Sequence, residues 1–397
     1  MNRFLSPAIV AALAIGSAAY AQPVSLNLDR DITPEGQTTT ESFPVSVAPG
    51  QAALYYKYEV TLPSGRLTLR LLDPAGTVVD QQSAAEALTM QGKATTGQPG
   101  TYSLEVVTEG AVGHWKVIIQ PVLAPSAFRP NLISGPAMLL VAVGSVLWWR
   151  WRSHAAWRWF WVGAGVWTVG VALKFAVALP LNGPVLRGLE DVLPRFWYLV
   201  IGGVYIGLLT GVFEIGVTLV AGLIWRRFAL DSARAIAVGV GAGAFEAALL
   251  GLLSLIGMAV AVSGLLPDEA VAAVSAVMLV TPLGWLAPPV ERAIAILCHT
   301  SSRALTFLTV ATRRSTYFWG GFLIMTAIDS VAGAYLISGA LTSLSAWWIE
   351  LAIAPAALIS LPVLRWCIRH WPVVPPPAVL PVETAPAVGP SSAANAD

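Results

Sequence analysis

Two hydrophobic rhythms divide the chain. Between residue 22 and about residue 122, short runs such as ALYYKYEVTL, RLTLRLLDP, TYSLEVV and HWKVIIQPV alternate apolar and polar positions. PSG, PAG, QPG and EGAVG punctuate them. Period-two alternation broken by turn residues predicts the strands of a small antiparallel, all-β sandwich. After a linker at 123–131 the rhythm gives way to continuous apolar stretches of about 20 residues, the length that crosses a bilayer. They fall near 132–149, 159–180, 196–225, 235–264, 289–311, 316–340 and 346–364.

The basic residues orient these stretches. Arg150, Arg152 and Arg158 flank one turn, Arg226, Arg227 and Arg234 another, followed by Arg313 with Arg314 and Arg365 with Arg369. Only Arg187 and Arg195 fall in the opposite short loops. The positive-inside rule then puts the clusters in the cytoplasm and the sandwich outside. It also settles DEAVAAVSAVMLVTPLGWL (268–286): a crossing there would move Arg313 and Arg314 outside, so this stretch is read as a helix lying at the outer surface. The fold class expected is an α-helical polytopic membrane protein of about seven transmembrane helices with an N-terminal extracytoplasmic all-β sandwich.

Composition supports a membrane protein, with 56% hydrophobic and 11% charged residues and a mean hydropathy of +0.69. The start, MNRFLSPAIVAALAIGSAAYAQ, has a basic residue, an apolar run and a small-residue cleavage pattern, so 1–21 reads as a signal peptide. Residues 22–122 form the sandwich, 132–370 the membrane domain, and 371–397 a Pro/Ala-rich disordered cytoplasmic tail. The location expected is a bacterial inner (cytoplasmic) membrane. Cys298 and Cys367 are too few for a disulfide framework. His114 beside Trp115 reads as a strand residue and His154 as a solvated loop residue.

Four titratable residues stand apart because each falls near the centre of its helix: Glu214, Glu246, His299 and Asp329 on the third to sixth stretches. Such a group in hydrocarbon costs about 2.5 kcal/mol or more and marks a functional interior or a polar pair between helices. Glu291 and Arg292 open the fifth stretch, Arg303 lies one turn past His299, and Glu350 lies toward the outer end of the seventh. Lys174 is placed within reach of the outer interface and given no role.

Residues 196 to 340 resemble the YhfC-type membrane peptidases, relatives of the intramembrane CAAX-processing and bacteriocin-related proteases. GLLTGVFEIGVT is similar to an AGxFEE-like helix with Glu214 kept and Ile215 in place of a second glutamate. GVGAGAFEA keeps Glu246 but has Ala242 where the pattern has histidine. ERAIAILCH is intact, giving Glu291, Arg292 and His299. FLIMTAIDS keeps Asp329, with Met325 or Thr326 at the place of a histidine. The N-terminal part loosely resembles secreted pre-peptidase jelly-roll modules.

The resemblance implies a peptidase acting on membrane-associated peptides or proteins, with Glu246, Glu214 and His299 catalytic and Asp329, Glu291 and Arg292 supporting. In that reading Asp329 orients His299 and Arg292 pairs with Glu291. It also implies one divalent metal, zinc in the family, here held by His299, Glu214 and Glu246. With one histidine at membrane depth, a two-histidine zinc site cannot form, and the donor set is oxygen-rich. A metal-free route would use Glu246 as general base and His299 to stabilise the oxyanion or protonate the leaving amine. Beside peptidase activity, intact or degenerate, stand a non-enzymatic receptor or scaffold using the sandwich, and an ion-coupled transporter using the same carboxylates. The partners expected are the bilayer, a membrane-associated substrate and an extracytoplasmic partner of the sandwich; no nucleic acid is expected.

Overall fold

The structure, a computed structural model, describes residues 26–32, 38–48, 50–340 and 344–372. The expected signal peptide and the tail from residue 373 lie outside the described residues.

Alternation in the N-terminal part produces a continuous six-stranded antiparallel sheet: β1 (Leu26–Ile32), β2 (Thr39–Val47), β3 (Gln51–Leu72), β4 (Val78–Ala84), β5 (Leu88–Thr95) and β6 (Gly100–Leu123). β3 and β6 pair along nearly their whole length, with register shifts between Thr61 and Arg66. On one side of these shifts β6 pairs with β1 and β3 with β5; on the other, β6 pairs with β2 and β3 with β4. Inward residues from both halves, among them Leu54, Tyr58, Leu69, Leu104 and Val117, join one buried apolar cluster. His114 is a strand residue of β6 whose two ring nitrogens lie 3.0 and 2.9 Å from carboxylate oxygens of Asp29 and Asp31.

The rest is helical: α1 (Ser134–Ser153), α2 (Trp157–Val192), α3 (Arg195–Ile224), α4 (Ser232–Val262), α5 (Asp268–Val280), α6 (Ala287–Thr312), α7 (Ser315–Ser338) and α8 (Trp347–His370). All but α5 are long and apolar enough to span a membrane, which gives seven candidate spans among the described residues. With 13 residues, α5 is too short to cross. It docks on the β domain instead: Ala272 packs with Ala53, Tyr55 and Val122, the Ser275 hydroxyl accepts the Leu123 N–H (2.9 Å), and Lys93 pairs with Asp268 (2.7 Å). The chain alternates direction through the seven spans, so the arginine clusters gather at the end of the bundle away from the β domain. That end is packed by aromatic residues, including Trp149, Trp159, Phe160, Phe228 and Phe307.

One helix differs from expectation in a way that matters for the site. α2 runs 36 residues, straight through Pro180 and Pro184, instead of stopping near 180. Lys174 therefore sits near the middle of its helix. His154 closes α1 in the left-handed conformation (φ 54°), and its N–H bonds back to the Arg150 carbonyl.

Candidate active site

The packing of four helices decides which side chains meet. Gly239 and Gly243 lie one turn apart on α4 and let α6 approach closely: a Cβ on Gly243 would sit 2.9 Å from Ile296 Cα and 3.1 Å from His299 Cβ. This contact sets His299 against Glu246, one turn further along α4. On α2, a Cβ on Gly170 would sit 3.1 Å from Glu214 Cα. The backbone of α3 can thus touch α2 and bring Glu214 within reach of Lys174. Glu214 itself sits in a π-helical turn, Gly211–Ile215, inside α3; such wide turns recur at functional sites because they redirect one side chain out of helical register.

The side chains form one connected network. His299 Nε2 lies 2.8 Å from Glu246 Oε2, and its Nδ1 lies 2.6 Å from Arg303 Nη1. A guanidinium can only donate, so Nδ1 is the acceptor of that contact and Nε2 is the nitrogen directed at Glu246. The other Glu246 oxygen accepts from Arg292 at 2.5 Å, and Arg292 also holds Glu291. Glu214 accepts from Lys174 (2.9 Å) on one oxygen and Arg303 (3.4 Å) on the other. Lys174 in turn bonds Thr210 Oγ1 (3.2 Å) and lies 3.7 Å from Asp329, which also takes the Thr210 hydroxyl. Arg303 has no exposed surface, and Glu214 and His299 are 2% exposed. A cavity of about 40 Å³ reaches the network between α4, α6, α7 and α8, bordered by Glu246, Glu291, Arg292, His299 and Asp329. It has room for a few water molecules, not for a peptide.

Glu214, Glu246 and His299 bring one potential ligand atom each within 4.8 Å of one another, a grouping of metal-ligating type. The donors themselves are engaged. The only imidazole lone pair is taken by Arg303, and both oxygens of each carboxylate accept from a cation or from the imidazole N–H. Arg303 in particular bridges the imidazole lone pair and one Glu214 oxygen, two of the atoms a divalent ion would have to take. As arranged, the set does not fit a divalent metal.

The four residues singled out by depth do converge, though with different partners from those expected. Asp329 does not orient His299; it lies against Thr210 and Lys174, because α7 meets the network from the α3 side. Lys174, given no role in the sequence, is the hub between Glu214 and Asp329. Its position one turn beyond Gly170, the small residue facing α3, is the signal that could have found it. Arg292 pairs with Glu291 and also reaches across to Glu246. Glu350 is buried beyond this network and one of its oxygens has no partner.

Of the positions that depart from the peptidase pattern, Ile215, Ala242 and Met325 are packed as apolar core, whereas Thr326 is a buried polar residue. Ile215 and Met325 lie in a single buried cluster with Cys298, Ile328 and Ile353, immediately beside the site, and Ala242 is fully buried.

No curated protein matches the sequence. A family model described as YhfC intramembrane metalloprotease matches residues 137–352, which takes in most of α1, all of α2 to α7, the start of α8 and every residue of the network. With more than half of its length matched, the chain belongs to the YhfC intramembrane metalloprotease family.

Proposed function

We propose that this protein uses the intramembrane-peptidase fold to bind a membrane-associated peptide or protein without hydrolysing it. The observation that carries the reading is the closed ion-pair network. A general base must take a proton from water. Glu246 borders the small cavity, but each of its oxygens already accepts from a fixed donor, Arg292 or His299, and these charge-assisted contacts favour the carboxylate over its protonated form. An oxyanion stabiliser needs an N–H aimed at the reacting centre, and the His299 proton is spent on Glu246. The apolar packing of Ile215 supports the same conclusion, since it fills a place where the family pattern carries a second glutamate. In this reading the β domain and α5 lie outside the cytoplasm, the arginine clusters inside, and residues 1–21 are removed on export to a bacterial inner membrane.

The test is reconstitution of the full chain in vesicles with a panel of labelled single-span peptides. Energy transfer reads binding, and mass spectrometry reads new peptide termini. Saturable transfer to some peptides with no new termini is the expected result. New termini that disappear in Glu246→Gln would make the protein a working peptidase and overturn the proposal.

A further inference from the structure

We propose that Arg303 is the residue that holds metal out of this site, and that a latent metal site lies beneath it. Arg303 stands one turn after His299 on the same face of α6, so its guanidinium reaches back over the imidazole. One of its nitrogens takes His299 Nδ1 at 2.6 Å and another takes Glu214 Oε2 at 3.4 Å. Those two acceptor atoms are 3.9 Å apart, about half an ångström wider than neighbouring ligands around a tetrahedral ion, so a small side-chain movement would let one ion take both. The guanidinium therefore occupies the two atoms that a metal would need. It is fully buried, and its Nε has no partner, so its hold depends on these two contacts.

Charge points the same way. The connected network contains four carboxylates (Glu214, Glu246, Glu291, Asp329) and three cations (Lys174, Arg292, Arg303), an excess of one negative charge. Without Arg303 the excess becomes two, the imidazole lone pair is freed, and one Glu214 oxygen loses its donor. That combination of one nitrogen and carboxylate oxygens suits zinc, cobalt or manganese. Lys174 does not substitute for Arg303 in blocking the site, because it holds the other Glu214 oxygen and does not touch His299.

The experiment compares full-length wild type with Arg303→Met, whose side chain is of similar length and uncharged, in detergent with added Co²⁺ or Zn²⁺. Metal content, the visible absorption of bound Co²⁺ and the thermal midpoint are read together. Wild type should carry only trace metal and show no metal-dependent shift. Arg303→Met should bind metal stoichiometrically, gain the Co²⁺ absorption and melt at a higher temperature as metal is added, with all three effects lost in Arg303→Met/His299→Gln. If Arg303→Met folds and binds no metal, the proposal fails. It also fails if wild type binds metal stoichiometrically and His299→Gln releases it. Should the variant unfold without metal, its recovery on refolding with Zn²⁺ gives the same readout, and the wild-type titration still decides. Peptide cleavage by metal-free wild type would overturn the function proposed above and leave this assignment of Arg303 standing.

Discussion

Lys174 shows how much one side chain can matter at this depth. It neutralises Glu214 and lies beside Asp329, and its ammonium is only partly accessible. Removing one partner of a buried ion pair leaves an uncompensated charge, at a cost of about 3–5 kcal/mol. Lys174→Met should therefore lower stability by about 3 kcal/mol, read as denaturant unfolding in detergent. Lys174→Met/Glu214→Gln should recover much of the loss, and a loss no smaller in the double variant would deny the pairing. At this scale the sequence was legible where depth alone decides: Glu214, Glu246, His299 and Asp329 could be picked out by counting from helix ends. Partners were not legible. Which atom Arg303 or Lys174 reaches depends on how α2, α3 and α6 rotate against one another, and this rotation is fixed by close contacts between distant residues.

Helix contacts are where those rotations are set. Gly243 sits where a side chain would run into the α6 backbone, whereas Gly257, further along α4, has open space around its Cα. Gly243→Val should cost about 1–3 kcal/mol by overpacking and weaken the His299–Glu246 contact. Gly257→Ala should leave the thermal midpoint unchanged or slightly higher. Equal losses in the two variants would contradict the packing account. Element identity was largely legible, including α5 as a non-crossing helix, because apolar length and arginine placement are strong signals. The length of α2 was not: the apolar stretch falls near 159–180, and the helix continues through Pro180 and Pro184. Both are accommodated inside the helix, as proline can be in membrane spans where neighbouring groups satisfy the freed backbone.

Across the whole molecule, a family fold is joined to a β domain with its own core, and the two should respond to different conditions. Burial, with smaller contributions from Asp80 and Tyr56, pushes the phenol of Tyr58 well above its ordinary value. A group whose folded-state pKa is raised contributes stability that is complete below the unfolded value, about 10 for tyrosine. That contribution is lost as pH rises beyond it. The β domain should thus hold constant stability through neutral and mildly alkaline pH and weaken above about pH 10. Tyr58→Phe should flatten this alkaline fall, measured by near-ultraviolet circular dichroism; an unchanged fall would remove Tyr58 as its cause. The strands were readable from period-two alternation, but their joining into one continuous sheet was not, because it depends on β3 and β6 being shared by both halves.

The central claim is that the site is closed by its own cations, and the protonation of His299 tests it most directly. The chain has four histidines, so nitrogen-15 labelling of histidine in the full-length protein gives few resonances, with His299 assigned by His299→Gln. The account predicts a neutral His299 ring, protonated on Nε2 and bare on Nδ1, with shifts unchanged when Zn²⁺ is added. A His299 resonance that moves stoichiometrically with Zn²⁺, or a ring carrying protons on both nitrogens, would contradict it.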